Sequence, residues 1–182
     1  MIAWFDYGIL DWFQSIQNEI LTSVFRVVTA LGEGGAIWIV LALFLTVRKQ
    51  TRKIGITMLV ALLFSLLIGN FTLKPLIQRP RPSWRHPEVA LLIGNPLDYS
   101  FPSGHAMSSF AAAVGAFLWN RKMGYALLLF AVLMASTRLY FFVHYPTDVL
   151  AGMLIGIALG IFAYILVKKG WKRWEDNNDN KL

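Results

Sequence analysis

Long apolar runs broken by short polar punctuation organise this chain, and their lengths predict helices that cross a bilayer. Ile54 to Leu73 is uncharged throughout and has about the 20 residues that a bilayer core requires. Thr147 to Val167 is similar, with its charge confined to Asp148 at the start. Gln14 to Leu31 predicts a first span, in which Glu19 and Arg26 lie two helical turns apart on one face, a face expected to look into the bundle. After the turn Gly32-Glu-Gly-Gly35, Ala36 to Val47 predicts a short second span; Met123 to Thr137 predicts the fifth. The fourth runs from Pro102 to Asn120, and its small residues Ser108, Ala112 and Ala116 recur every fourth place, as Gly152, Gly156 and Gly160 do in the sixth. Such stripes let helices pack closely. Before these spans, Trp4, Phe5, Tyr7, Trp12 and Phe13 among Asp6 and Asp11 suit a helix lying in the membrane interface. The expected fold is all-α: one domain over residues 1–182, built as an integral membrane bundle of six transmembrane helices. A short interfacial helix precedes the bundle, and a proline-rich cap over 74–99 joins spans three and four. The core covers 15–168, and 169–182 is a frayed tail.

Composition agrees: 57% of residues are hydrophobic, 15% are charged and the mean hydropathy is +0.55. The net charge of +7 does not point to nucleic acid, because the basic residues cluster at span ends rather than along one soluble face. With six alternating spans, the turns at 48–53 and 121–122 and the tail at 168–173 fall on one side, which the excess of Lys and Arg marks as cytoplasmic. Both termini are then expected in the cytoplasm of a multi-pass cell-membrane protein. Lys74, Arg79, Arg81 and Arg85 fall on the opposite face and break that charge rule, so they call for a functional reading. The chain has no cysteine and hence no disulfide or thiolate chemistry, and its N-terminus lacks the pattern of a cleaved signal peptide.

Six-span parity also brings three polar motifs to the outer end. In Tyr99-Ser-Phe-Pro-Ser-Gly-His105, Pro102 at a first helical position would leave the N–H groups of Ser103 and Gly104 as donors for an anion, with His105 beside it. Alone, Pro-Ser-Gly is an ordinary turn and cap. In His144-Tyr-Pro-Thr-Asp148 the carboxylate is within reach of the imidazole, fixing its tautomer and leaving the other nitrogen free as a nucleophile. Alone, that pair is an ordinary hydrogen bond at a helix start. Lys74, Arg81 and Arg138 supply cations that match the charge of a transferring phosphoryl group. His105 is then the acid that protonates the leaving oxygen. Arg79 and Arg85 read as headgroup anchors, and His86 as a cap residue without a catalytic part. No cluster of ligands for a metal is evident and no cofactor is expected.

Lys74 followed after six residues by Arg81-Pro82, Pro102-Ser-Gly-His105, and Arg138 followed by His144 and Asp148 resemble the three signatures of the type 2 phosphatidic acid phosphatases, which share their site with vanadium haloperoxidases. The resemblance covers residues 15 to 168. It departs from the family where Thr137, rather than serine, precedes the arginine. It implies a metal-independent lipid phosphatase in which His144 is transiently phosphorylated, Asp148 orients it and His105 is the general acid. Phosphatidylglycerophosphate is the first substrate expected and undecaprenyl pyrophosphate the alternative, acted on near the extracytoplasmic face. The partners expected are the lipid phosphate and the bilayer, with no nucleic acid and no obligate protein. A transporter or flippase is the reading from another class; it would need polar residues near midspan on several helices, and spans two to six have few.

Overall fold

The structure, a computed structural model, describes residues 2–179. It is helical, with no strand among these residues. In chain order the helices are α1 (Ile2–Ser15), α2 (Glu19–Leu31), α3 (Ala36–Val47), α4 (Arg52–Ser65), α5 (Lys74–Ile77), α6 (Pro82–Arg85), α7 (Gly104–Trp119), α8 (Arg121–Tyr140) and α9 (Pro146–Asp179). A stretch of π-helix over Leu66–Leu73 joins α4 to α5, so the third predicted span carries Lys74 on its end rather than in a following loop. Three helical segments, 52–85, 121–140 and 146–177, are long and apolar enough to cross a membrane.

Central α7 packs against α9, α8 and α4. Glycine explains how closely α9 approaches it. A Cβ at Gly152 would lie 2.6 Å from the Ser103 carbonyl oxygen, one at Gly156 2.4 Å from that of Met107, and one at Gly160 2.7 Å from that of Ala111. The glycine stripe predicted on α9 therefore seats the 103, 107, 111 face of α7, and the small-residue stripe at 108, 112 and 116 lies off that contact.

One end of the bundle is basic and structural. There Lys53 pairs with Glu175 at 3.2 Å and Trp119 Nε1 donates to Thr57 at 2.8 Å. The tail expected to fray is instead helical through Asp179, since Lys53 also stacks over Trp171; 180–182 lie outside the described residues. The other end collects Lys74, Arg81, His105, Arg138 and His144.

The first two predicted spans depart most from expectation. Helices α2 and α3 have 13 and 12 residues, about 20 Å each, against a bilayer core of about 30 Å. They form a pair bent by 49° at the glycine turn, where Gly34 and Gly35 take positive φ values of 57° and 75°. Contacts along the pair run one way. Asn18 and Thr22 meet Tyr140, Thr29 meets Arg138, Trp38 bonds Ser109 and stacks on Phe130, and Thr46 abuts Gly55 at the basic end. Glu19 and Arg26 are exposed, while Phe25, Val28 and Thr29 form the buried face of α2. Helix α1 lies against the site end through Asp6, Tyr7 and Gln14.

Candidate active site

A cavity of about 1000 Å³ opens at this end between α2, α4, α7 and the loop before α7. Its polar wall includes Lys74, Arg81, Gly104, His105, Arg138 and His144, and its apolar wall includes Ile39, Leu59, Leu63 and Leu66. Each polar group arrives from a different element: Lys74 from the first residue of α5, Arg81 from the residue before α6, His105 from the first turn of α7, Arg138 from the last turn of α8, and His144 from the turn into α9. The three motifs, separate in sequence, thus share one site.

Arg138 is buried, donates through Nη1 to the Thr29 hydroxyl, and leaves Nε without a partner. It enters no ion pair among the described residues. A buried cation without a counter-ion is costly, and an anion in the cavity removes that cost. Arg81 is differently placed. Its five N–H donors meet five acceptors: the carbonyls of Asp98 (2.6 Å), Val143 (2.6 Å) and Tyr99 (3.4 Å), the Asp98 carboxylate (2.6 Å), and His144 Nε2 (2.9 Å). Asp98 also pairs with Lys74. Partial burial pushes the Asp98 carboxyl up, but Lys74 and Arg81 together hold it down to about 2. Because that lies below the ordinary value of about 3.9, ionised Asp98 stabilises the fold above about pH 4, a contribution lost as the pH falls towards 2.

His144 lies in the turn between α8 and α9, and burial, with the Arg81 guanidinium beside it, holds its imidazole well below the usual range. It is thereby kept neutral. Accepting from Arg81 at Nε2 places its proton on Nδ1. The expected direct bond to Asp148 is absent: Nδ1 and Oδ2 are 3.7 Å apart, and the Ser100 hydroxyl stands between them, 3.4 Å from Nδ1 and donating to Oδ2 at 2.5 Å. The Tyr145 N–H holds the same carboxylate oxygen at 2.9 Å. The other oxygen takes Nη1 of Arg79 at 2.5 Å, and Nη2 of Arg79 reaches buried Asp6 on α1 at 2.7 Å. Arg79 is therefore held by two carboxylates of the protein itself rather than left free for a headgroup. Thr147 completes this network by donating to Asp6 through its N–H and hydroxyl.

His105 faces the cavity with Nε2 donating to the Thr29 carbonyl at 3.2 Å. Gly32 makes room for it, since a Cβ there would come within 2.7 Å of the ring. Helix α7 begins at Gly104 with Ser103 as its N-cap, so Pro102 precedes the helix instead of opening it. Ser103 consequently departs from its expected part. Its N–H donates to the Asp148 carbonyl at 3.1 Å, and its buried hydroxyl has no partner and does not line the cavity. Gly104 does line it, with the site of a Cβ 3.8 Å from Lys74 Nζ. At the family's serine position, the Thr137 hydroxyl donates to the Met134 carbonyl, and Ser136 to that of Val132. Neither residue lines the cavity. His86 bonds Glu88 and Tyr7 and does not line the cavity.

This convergence on a membrane helical frame defines a class. The chain belongs to the PAP2 superfamily, whose family model matches residues 54–172. It is 37% identical over 121 residues to an undecaprenyl-diphosphatase of Sulfolobus acidocaldarius, an alignment covering 66% of this chain and 58% of that protein. It is 32% identical over 154 residues to the undecaprenyl-diphosphatase BcrC of Bacillus subtilis, covering 82% of this chain and 77% of the relative. Among solved structures, a transmembrane PAP2-type phosphatidylglycerolphosphate phosphatase from Bacillus subtilis superposes with a TM-score of 0.70 at 27% identity, covering 92% of this chain and 85% of that one.

Proposed function

We propose that the chain is an integral-membrane lipid phosphatase that removes a terminal phosphate through a phosphohistidine on His144. The observation that carries this reading is the buried, unpaired Arg138 guanidinium facing two histidines across a cavity with one apolar wall. His144 Nε2 attacks phosphorus while the bond from phosphorus to the lipid oxygen breaks, and His105, entering as the imidazolium, gives that oxygen a proton and becomes neutral. Asp148, acting through Ser100, holds the proton on Nδ1 and balances the charge that develops on the ring. Water then attacks phosphorus, His105 takes its proton, and the phosphorus–nitrogen bond breaks. Lys74, Arg81, Arg138 and the first-turn N–H of Gly104 bind the phosphoryl oxygens.

Two of the curated relatives, those of Sulfolobus acidocaldarius and Bacillus subtilis, are named undecaprenyl-diphosphatases and support an isoprenoid diphosphate as substrate. Phosphatidylglycerophosphate, the first expectation from sequence, becomes the second reading, supported by the structural relative, a phosphatidylglycerolphosphate phosphatase. We read the bent α2–α3 pair as a single crossing, so the chain crosses five times through α2–α3, α4–α5, α7, α8 and α9. The parity of the three motifs is unchanged, but α1 then shares the extracytoplasmic side with the site, in place of an N-terminus in the cytoplasm. The test is phosphate release by purified protein from undecaprenyl diphosphate, phosphatidylglycerophosphate and phosphatidic acid. The first should turn over fastest, and His144→Ala should abolish release from all. No release from any lipid would overturn the reading.

A further inference from the structure

Arg81 and Lys74, both needed for phosphate, are already engaged by an anion of the protein's own. Every N–H of Arg81 has an acceptor, and one of those acceptors is the nucleophilic nitrogen of His144. A phosphate oxygen can therefore reach Arg81 only after an acceptor leaves. Three of the five are backbone carbonyls fixed by the local fold, and buried His144 gives up Arg81 only when its nitrogen attacks phosphorus. The Asp98 carboxylate is the exception. Its side chain is 54% exposed, and it follows Leu97, which is 96% exposed, in the loop before α7. It can swing away without breaking a helix.

The surroundings explain why such an anion is useful. The cavity's apolar wall suits a lipid tail, and any bilayer offers phosphodiester headgroups in vast excess over a phosphatase's substrate. A pocket of three cations with no internal counter-ion would fill with them. A phosphodiester carries one negative charge, as Asp98 does, so exchanging one for the other gains no Coulomb energy and forfeits the high effective concentration of a tethered group. A terminal phosphate carries about −1.5 to −2 charges near neutral pH, and a diphosphate more, so either gains by the exchange.

We propose that Asp98, clasped by Lys74 and Arg81, is a specificity-determining residue that closes the site to phosphodiester lipids and yields to a terminal phosphate. Specificity of this kind arises from a competitor built against the wrong ligand rather than from extra contacts to the right one. The inference rests on the phosphatase reading above.

The experiment uses the full chain in detergent micelles, with phosphatidic acid as substrate, phosphatidylglycerol as the phosphodiester and orthovanadate as the phosphoryl mimic. In Asp98→Asn and Asp98→Ala, vanadate should inhibit at roughly tenfold lower concentration, the scale expected when one charge-assisted competitor is removed. Phosphatidylglycerol, inert towards the wild type, should become a competitive inhibitor that raises KM. Should turnover in the variants be too low to measure, the rise in melting temperature produced by vanadate gives a second readout, and it should be larger than in the wild type. Weaker vanadate binding in both variants, or continued indifference to phosphatidylglycerol, would show that Asp98 instead positions the cations and would overturn the proposal. A wild type that releases phosphate from no lipid sinks the phosphatase reading itself, whereas an active wild type with the wrong response in the variants sinks only this inference.

Discussion

In the mechanism proposed above His144 attacks phosphorus and His105 moves a proton, so their variants should fail in different ways. Without His144 no phosphoenzyme forms whatever the leaving group, so His144→Ala should be inactive on every phosphoester. The need for His105 depends on the leaving oxygen: a lipid alkoxide is strongly basic and must be protonated, whereas p-nitrophenolate departs unaided. His105→Ala should slow phosphate release from phosphatidic acid by roughly 10²- to 10⁴-fold and reduce the first-turnover burst of nitrophenol from p-nitrophenyl phosphate far less. Equal losses would remove His105 from the role of acid. At this scale the sequence exposed those residues whose types and spacing form local motifs, namely Lys74, Arg81, Gly104, His105, Arg138, His144 and Asp148, all of which the fold brings to one end. It hid Ser100, Arg79, Asp6, Thr29 and Asp98, because their parts depend on partners far along the chain. Asp6 and Arg79 are 73 residues apart, Thr29 and Arg138 109. Asp98 belongs to no motif, and only the fold brings it between Lys74 and Arg81.

Among the elements, the contact between α7 and α9 carries the site, because it sets the height of His105 and Ser103 against Asp148. Its closeness depends on side chains of zero size. Gly156→Leu would drive new atoms into the Met107 carbonyl, 2.4 Å from where the Cβ must go. Such overpacking costs about 1 to 3 kcal/mol, so the variant should melt at a lower temperature in detergent and lose activity together with stability. Gly170→Leu, where nothing lies within 4 Å of an added Cβ, is the matched control and should change neither. A Gly156→Leu protein as stable as the wild type would mean that the two helices pack less closely than a 2.4 Å approach to the Met107 carbonyl requires. The fourfold glycine spacing made this contact legible in the sequence. Its register was not legible, because α7 is small along several faces, Ala106, Ala111, Ala112, Ala113 and Ala116 all being buried. The 49° bend between α2 and α3 was likewise concealed, since apolar periodicity counts hydrophobic runs and says nothing of the angle at the turn between them.

For the molecule as a whole, the number of crossings decides which compartment meets each end. Six crossings place the chain's start with its basic tail; five place it with the active site. The basic turns at 48–53 and 121–122 and the end of α9 stay on one side in both schemes, because only the segment before residue 48 changes its path. Charge therefore cannot discriminate between them, but α1 can. Asp6 is buried against Arg79, and Gln14 donates to the Tyr140 carbonyl, so α1 has to lie on the side where Arg79 and Tyr140 lie. The natural chain has no cysteine, which makes single-cysteine labelling clean. With a membrane-impermeant maleimide on intact cells, Asp11→Cys and Ser15→Cys on the exposed face of α1 should label from outside, as should Leu97→Cys beside the site. Lys169→Cys, near the basic end of α9, should label only after the membrane is permeabilised. If Asp11→Cys and Lys169→Cys were both protected in intact cells while Leu97→Cys reacted, α2 and α3 would have to cross separately. The contacts that tie α1 to Arg79 and Tyr140 could not then exist in the membrane, and Asp148 would lose its link through Arg79 to Asp6.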